Sequence, residues 1–270
     1  MESRGRIHIY RPFWHGRALG TAFLSILNMK GVILAGGLGT RLYPLTHATN
    51  KHLLPIYNKP MVYYPIATLV NAGITEILLV TSGPHSGHFL AVLKNGKELG
   101  IRHLEYAYQD KPDGGIADAL SLAEDFADGA PITVILGDNT TDADISKPIN
   151  NFKNGALIFL KQVPDPQRFG VPVFDKNDRS KIIEIQEKPK NPASDYAVTG
   201  LYIYDSKVFD YIRKCNSNFA GRGEMEITEV NNFYIRDGQL SWAKLDGYWW
   251  DAGTFDTMFS ATKHWEAKGK

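Results

Sequence analysis

Residues 31–35, Gly-Val-Ile-Leu-Ala, run without a polar break into Gly36-Gly37-Leu38-Gly39-Thr40-Arg41. A short continuous apolar run bounded by glycine reads as a buried strand that ends in a sharp turn. The missing Cβ atoms let backbone N–H groups converge on an anion, and Arg41 places a planar cationic fork at the same spot. Two phosphate fingerprints drop out. A P-loop ends Gly-Lys-Ser/Thr, and a dinucleotide turn needs a third glycine where this chain has Leu42. A phosphate cradle remains, with Arg41 at its lip and Lys51 ten residues on.

The pattern recurs downstream. Residues 32–34, 77–80, 132–136 and 156–160 are apolar runs of the kind parallel strands show. Between them a helix is predicted over 60–72, with Pro60 at its first position and Gly73 past its end. A second is predicted over 116–127, with Ile116, Ala119, Leu120, Ala123, Phe126 and Ala127 on one face. Such alternation predicts a right-handed, doubly wound α/β sheet, which binds ligands at the carboxyl ends of its strands. The glycine turn and Gly137-Asp138-Asn139 both fall at such ends. Residues 171–174, 181–186 and 199–204 read as added strands building a second lobe, and helices are predicted at about 226–236 and 254–268. One mixed domain with two subregions is expected.

Charge narrows the partners. With 270 residues, 43% hydrophobic, 22% charged and a net charge of +1, the chain carries no global field toward nucleic acid or membrane, so an anion site must be local. The single cysteine, Cys215, forms no intrachain disulfide, points to a reducing cytoplasmic setting, and reads as an inert thiol. Residues 1–28 hold Arg4, Arg6, Arg11 and Arg17 against Glu2 and include an apolar run, 18–27, too short to span a bilayer. They are expected to be an extension outside the fold, with a transit peptide or interfacial anchor as the alternative. The domain is expected to span 29–270.

The cradle continues as Leu42-Tyr43-Pro44-Leu45-Thr46, then Lys51-His52-Leu53-Leu54-Pro55. Together these resemble the sugar-1-phosphate nucleotidyltransferases. Asn58-Lys59-Pro60-Met61-Val62-Tyr63-Tyr64-Pro65, Leu136-Gly137-Asp138-Asn139, Arg168-Phe169-Gly170-Val171, Glu187-Lys188-Pro189, Tyr196-Ala197-Val198-Thr199-Gly200-Leu201-Tyr202 and Arg222-Gly223-Glu224-Met225-Glu226-Ile227-Thr228 are similar to the glucose-1-phosphate thymidylyltransferases, in colinear order from Met29 to the end. The resemblance implies a Rossmann-like, doubly wound, mixed but mostly parallel sheet with an inserted smaller β-rich sugar-binding lobe, as in GT-A-like folds. Within one domain it implies a nucleotide part at about 29–150 and a sugar part at about 151–250. It also implies dTTP and glucose 1-phosphate as substrates, dTDP-glucose and pyrophosphate as products, Mg²⁺ as cofactor, and a role in deoxysugar or surface-polysaccharide synthesis. No nucleic-acid or membrane partner is expected; a homo-oligomer is compatible. UTP, another nucleotide or another hexose 1-phosphate remains open, as does a catalytically silent sugar-nucleotide-binding regulator. The match is to the short form, without the C-terminal regulatory segment of longer members.

The chemistry agrees. A phosphate monoester has a second pKa of about 6, so the attacking oxygen is already charged at neutral pH and needs no general base. The protein must bring two polyanions together and spread the developing charge. By resemblance Arg41, Lys51 and Lys188 are the catalytic cations. Leu34, Gly36, Gly37, Gly39, Thr40, Arg41, Lys51, His52, Gln109, Gly115 and Asp138 bind the nucleotide, with Gln109 on the base. Gly170, Glu187, Lys188, Val198 and Arg222 bind the sugar phosphate, and Asp138 and Asp251 hold the metal. The chain departs from the family at His52 and Asp118, where glutamine is usual, and by one extra residue in Asp113-Gly114-Gly115. A His at 52 can reach the nucleotide, with a charge that depends on pH.

Overall fold

The computed structural model describes residues 29–219 and 225–269. The expectations for residues 1–28 and for Arg222 therefore lie outside the described residues. Strands are β1 (Lys30–Ala35), β2 (Pro55–Ile56), β3 (Lys59–Pro60), β4 (Glu76–Ser82), β5 (His103–Gln109), β6 (Ile132–Leu136), β7 (Asn139–Thr141), β8 (Ala156–Gln162), β9 (Gly170–Phe174), β10 (Ile182–Glu187), β11 (Tyr196–Tyr204), β12 (Leu240–Lys244) and β13 (Trp249–Asp251). Helices are α1 (Tyr63–Asn71), α2 (Gly87–Leu93), α3 (Ile116–Ser121), α4 (Glu124–Ala127), α5 (Ser146–Asn151), α6 (Lys207–Phe219), α7 (Ile227–Arg236) and α8 (Phe255–Lys268). No helix among the described residues is long and apolar enough to cross a membrane.

A seven-stranded sheet runs β12-β8-β11-β6-β1-β4-β5. Its strands are parallel except β11, which is antiparallel to both neighbours, β6 and β8. Period-two alternation sends β1 side chains to two cores. Val32 and Leu34 pack on one face with residues of α3, α4, α6 and α7. Ile33 and Ala35 pack on the other with residues of α1, α2 and α5. Burial on both faces explains why these strands are continuous apolar runs.

Three expectations change. Residues 199–204 belong to β11 at the centre of the main sheet, not to an added lobe. The lobe is the β9–β10 ribbon, with Asn232 of α7 bonded to the Ile185 backbone at both its N–H and its carbonyl. The helix expected from Pro60 begins at Tyr63, because Lys59–Pro60 form β3 against β2 and the Met61 N–H bond to the Leu54 carbonyl continues that pairing. The helix expected over 116–127 is two, α3 and α4, separated where Ala123 N–H bonds to Leu120 in an i→i−3 turn.

One side chain ties the strand ends that carry the cleft. Asn139 of β7 accepts from the Gly200 N–H of β11 at 3.1 Å and from Trp249 Nε1 of β13 at 2.7 Å, through its Oδ1. Its Nδ2 donates to Asp138 Oδ1 at 3.1 Å. Removing Asn139 would leave two buried donors without partners, at about 1–3 kcal/mol each. Asn139→Ala should lower unfolding free energy by about 2–6 kcal/mol, read by denaturant melts; a loss no larger than that of a surface substitution would show that the junction is dispensable.

Candidate active site

The first turn of the site follows directly from its sequence. Gly37 (φ 90°) and Gly39 (φ 63°) adopt the left-handed backbone that a glycine-rich turn needs. Gly37 N–H bonds to Ser82 Oγ at the end of β4, 2.8 Å away, and the Gly39 carbonyl accepts from Thr46 Oγ1 at 3.0 Å. The turn delivers Arg41 to the second key element, the β7–β13 ribbon. There Asp251 pairs with Asn139, and Ala252 N–H bonds to the Asp138 carbonyl at 2.9 Å. Asp138, the residue before β7, and Asp251 both line the same cleft, close enough for the charge of one to act on the other.

Their charges are unequal. Burial pushes the Asp138 carboxyl up, but the Lys51 ammonium, 2.6 Å from Oδ2, and the Asn139 amide outweigh it and hold the carboxyl well below the usual range. Asp251 goes the other way. Burial and the nearby Asp138 charge raise it, against Lys51, Arg41 and the Gly253 N–H that bonds to Oδ1 at 2.7 Å. This is a like-charge pair in which one member takes most of the strain.

The opposite wall is acidic and basic together. Lys188, in left-handed backbone (φ 43°), lies 3.1 Å from Glu187 and 3.3 Å from Glu226. Burial pulls its ammonium down, yet these two carboxylates outweigh that and raise it. Glu187 also accepts from Thr228 of α7. Met225 is zipped to the glycine loop by bonds of 3.0 Å to Gly114 O and from Ala117 N–H. A Cβ on Gly115 (φ 88°) would fall 2.6 Å from the Met225 nitrogen, so only glycine fits that close approach.

A single cleft of about 400 Å³ joins these walls. It gathers Leu34, Gly36, Gly37, Arg41, Lys51, His52, Gln109, Gly115, Asp138, Gly170, Glu187, Lys188, Val198 and Asp251 from the residues expected by sequence. Gly39 and Thr40 are not in its lining and shape the turn instead. Glu226, Thr228 and Asn139 line it too, and sequence reading assigned them no role. Glu226 and Thr228 lie in the Arg222–Thr228 motif and Asn139 in Leu136–Asn139; for Glu226 the signal was a lysine, Lys188, that needs a counter-charge.

Residues 30–268 match the family described as Nucleotidyl transferase. The chain belongs to that family. It is 42% identical over 239 residues to the glucose-1-phosphate thymidylyltransferase of Neisseria gonorrhoeae, covering 86% of this chain and 81% of that protein. It is also 42% identical over 241 residues to that of an Actinoplanes species, covering 87% and 78%. Among solved structures, a Bacillus anthracis protein in complex with a sucrose superposes with a TM-score of 0.81 at 46% identity, over 87% of this chain and 94% of that one. A UDP-glucose pyrophosphorylase complexed with UDP-glucose shares the fold alone, with a TM-score of 0.75 at 20% identity over 89% and 99% of the two chains.

His52 departs from expectation. It is 1% exposed, its Nδ1 lies 2.8 Å from Asn50 Oδ1, and burial with the Lys51 charge lowers its pKa to about 3. It is neutral across physiological pH, so its charge is not a pH-dependent element of the cleft. The sign follows from linkage: the unfolded imidazole takes a proton near 6.5 and the folded one does not, so stability is full above that pH and falls as pH drops toward 3. From pH 7 to 5 the histidine accounts for about 2 kcal/mol of lost stability. His52→Gln should shrink the difference between denaturant melts at those pH values by about that amount; an unchanged difference would place the titrating group elsewhere.

Proposed function

We propose that this protein transfers a thymidylyl group from dTTP to glucose 1-phosphate, giving dTDP-glucose and pyrophosphate. The carrying observation is that one cleft brings Arg41, Lys51, Asp138 and Asp251 against Glu187 and Lys188. The thymidylyltransferase relatives supply the substrate pair. Residues 29–150 serve the nucleotide and 151–250 the sugar phosphate. A cytoplasmic setting suits phosphorylated substrates and a lone thiol, Cys215, that burial pushes up to about 11 and out of reactive range.

Asp138 and Asp251 fit Mg²⁺. Two mostly buried carboxylates that repel one another offer hard oxygen donors to a cation. No cluster of three or more metal-ligating side chains stands among the described residues, so water and substrate oxygens complete the shell, as Mg²⁺ prefers. When bound, the ion neutralises charge on the triphosphate. The protein's own residues do the rest. Glycine-turn N–H groups and Arg41 grip the triphosphate, and Lys51 stands beside them next to Asp138. Lys188 binds the sugar phosphate, while Glu187 accepts from sugar hydroxyls and Gln109 meets the base. The sugar phosphate oxygen attacks the α-phosphorus directly as pyrophosphate leaves, with no proton to remove.

Two measurements test this. With glucose 1-phosphate and Mg²⁺, pyrophosphate release should be fastest with dTTP; equal turnover of UTP would reject the thymidylyl assignment. Asp251→Asn should cut turnover about 100-fold or more with the circular-dichroism spectrum unchanged; wild-type activity would remove Asp251 from the metal site.

A further inference from the structure

Gln109 closes β5 with 4% of its surface exposed, and its two amide atoms meet different surroundings. Nε2 donates to Asp118 Oδ2 at 2.7 Å and to the Gly115 carbonyl at 3.3 Å. Oε1 is turned to Gly36, where an added Cβ would lie 3.0 Å from it. Gly36 and Gln109 line the cleft, whereas Asp118, in the first turn of α3, is not part of the lining and stands behind the amide. A primary amide can rotate by a half-turn and exchange its donor and acceptor ends. A carboxylate accepts only, so beside Asp118 the NH₂ group must face inward.

We propose that Asp118 is a positioning residue for base selection: it holds Gln109 Nε2, fixes Oε1 as the atom a base meets, and thereby selects bases carrying an N3–H over cytosine. The inference rests on the assignment of Gln109 to the base. Both Nε2 hydrogens are engaged, so Gln109 offers the cleft an acceptor and no donor. Thymine and uracil donate N3–H to it. Cytosine presents an N3 lone pair, which would set two acceptors face to face, and a site with unpaired buried polar groups rejects strongly. The thymine methyl takes no part in this contact, so Asp118 does not contribute to any choice between thymine and uracil.

The test compares kcat/KM for dTTP, dUTP and dCTP, each with glucose 1-phosphate, in wild type, Asp118→Asn, Asp118→Glu and Gln109→Leu. Each ratio is internal to one preparation and is unaffected by the folded fraction. In Asp118→Asn, whose amide lets Gln109 turn over, the dTTP:dCTP ratio should fall about tenfold or more while dTTP:dUTP stays constant. Asp118→Glu, which keeps the acceptor, should retain most of the discrimination, and Gln109→Leu should lose it. A wild-type dTTP:dCTP ratio in Asp118→Asn, with Gln109→Leu impaired, would overturn the role of Asp118 and leave the base assignment intact. An unchanged ratio in Gln109→Leu would overturn the base assignment and this inference with it. Equal falls in both ratios in Asp118→Asn would mark a general disturbance and also overturn it.

Discussion

The site depends on two carboxylates being held close together out of water. Asp138 and Asp251 are brought to one cleft because β7 and β13 pair as an antiparallel ribbon that continues in the Ala252 N–H bond to the Asp138 carbonyl, and the ribbon is anchored to the main sheet through Asn139. Such a pair is stable only beside cations. Lys51 answers Asp138 directly, and Arg41 lowers the cost for Asp251. The demand for positive charge explains why the glycine turn, the lysine after it and the ribbon converge from distant parts of the chain.

The cleft's walls differ in how they are built. The wall carrying the glycine turn is backbone-defined: left-handed glycines and strand ends set the shape. The wall across from it is side-chain-defined, with Lys188 shared between Glu187 and Glu226. Met225 joins the two through its bonds to the glycine loop at Gly114–Ala117. A change at that seam would alter both halves together.

Much of this was legible in the chain. The alternation of apolar runs with helical faces was enough for the α/β sheet, and the motifs for the family and most of the cleft. The place of β11 was not legible, because an aromatic and β-branched run reads alike in a central strand and in a lobe. The start of α1 was hidden by the pairing of Lys59–Pro60 with Pro55–Ile56, which a proline at a first helical position does not report. His52 was misread because its charge is decided by burial and Lys51, both tertiary facts. Asp118 registered only as a departure; its bond to Gln109 needed β5 and α3 in register.

The central claim is that both substrates meet in one cleft and react directly, with no protein group carrying the nucleotide. His52, a neutral imidazole in the lining, is the side chain that could contradict it. Exchange of labelled pyrophosphate into dTTP measures this most directly. Without glucose 1-phosphate, and with Mg²⁺ present, no exchange should occur; adding the sugar phosphate should switch it on. Exchange in its absence would reveal a nucleotidylated enzyme and contradict the account.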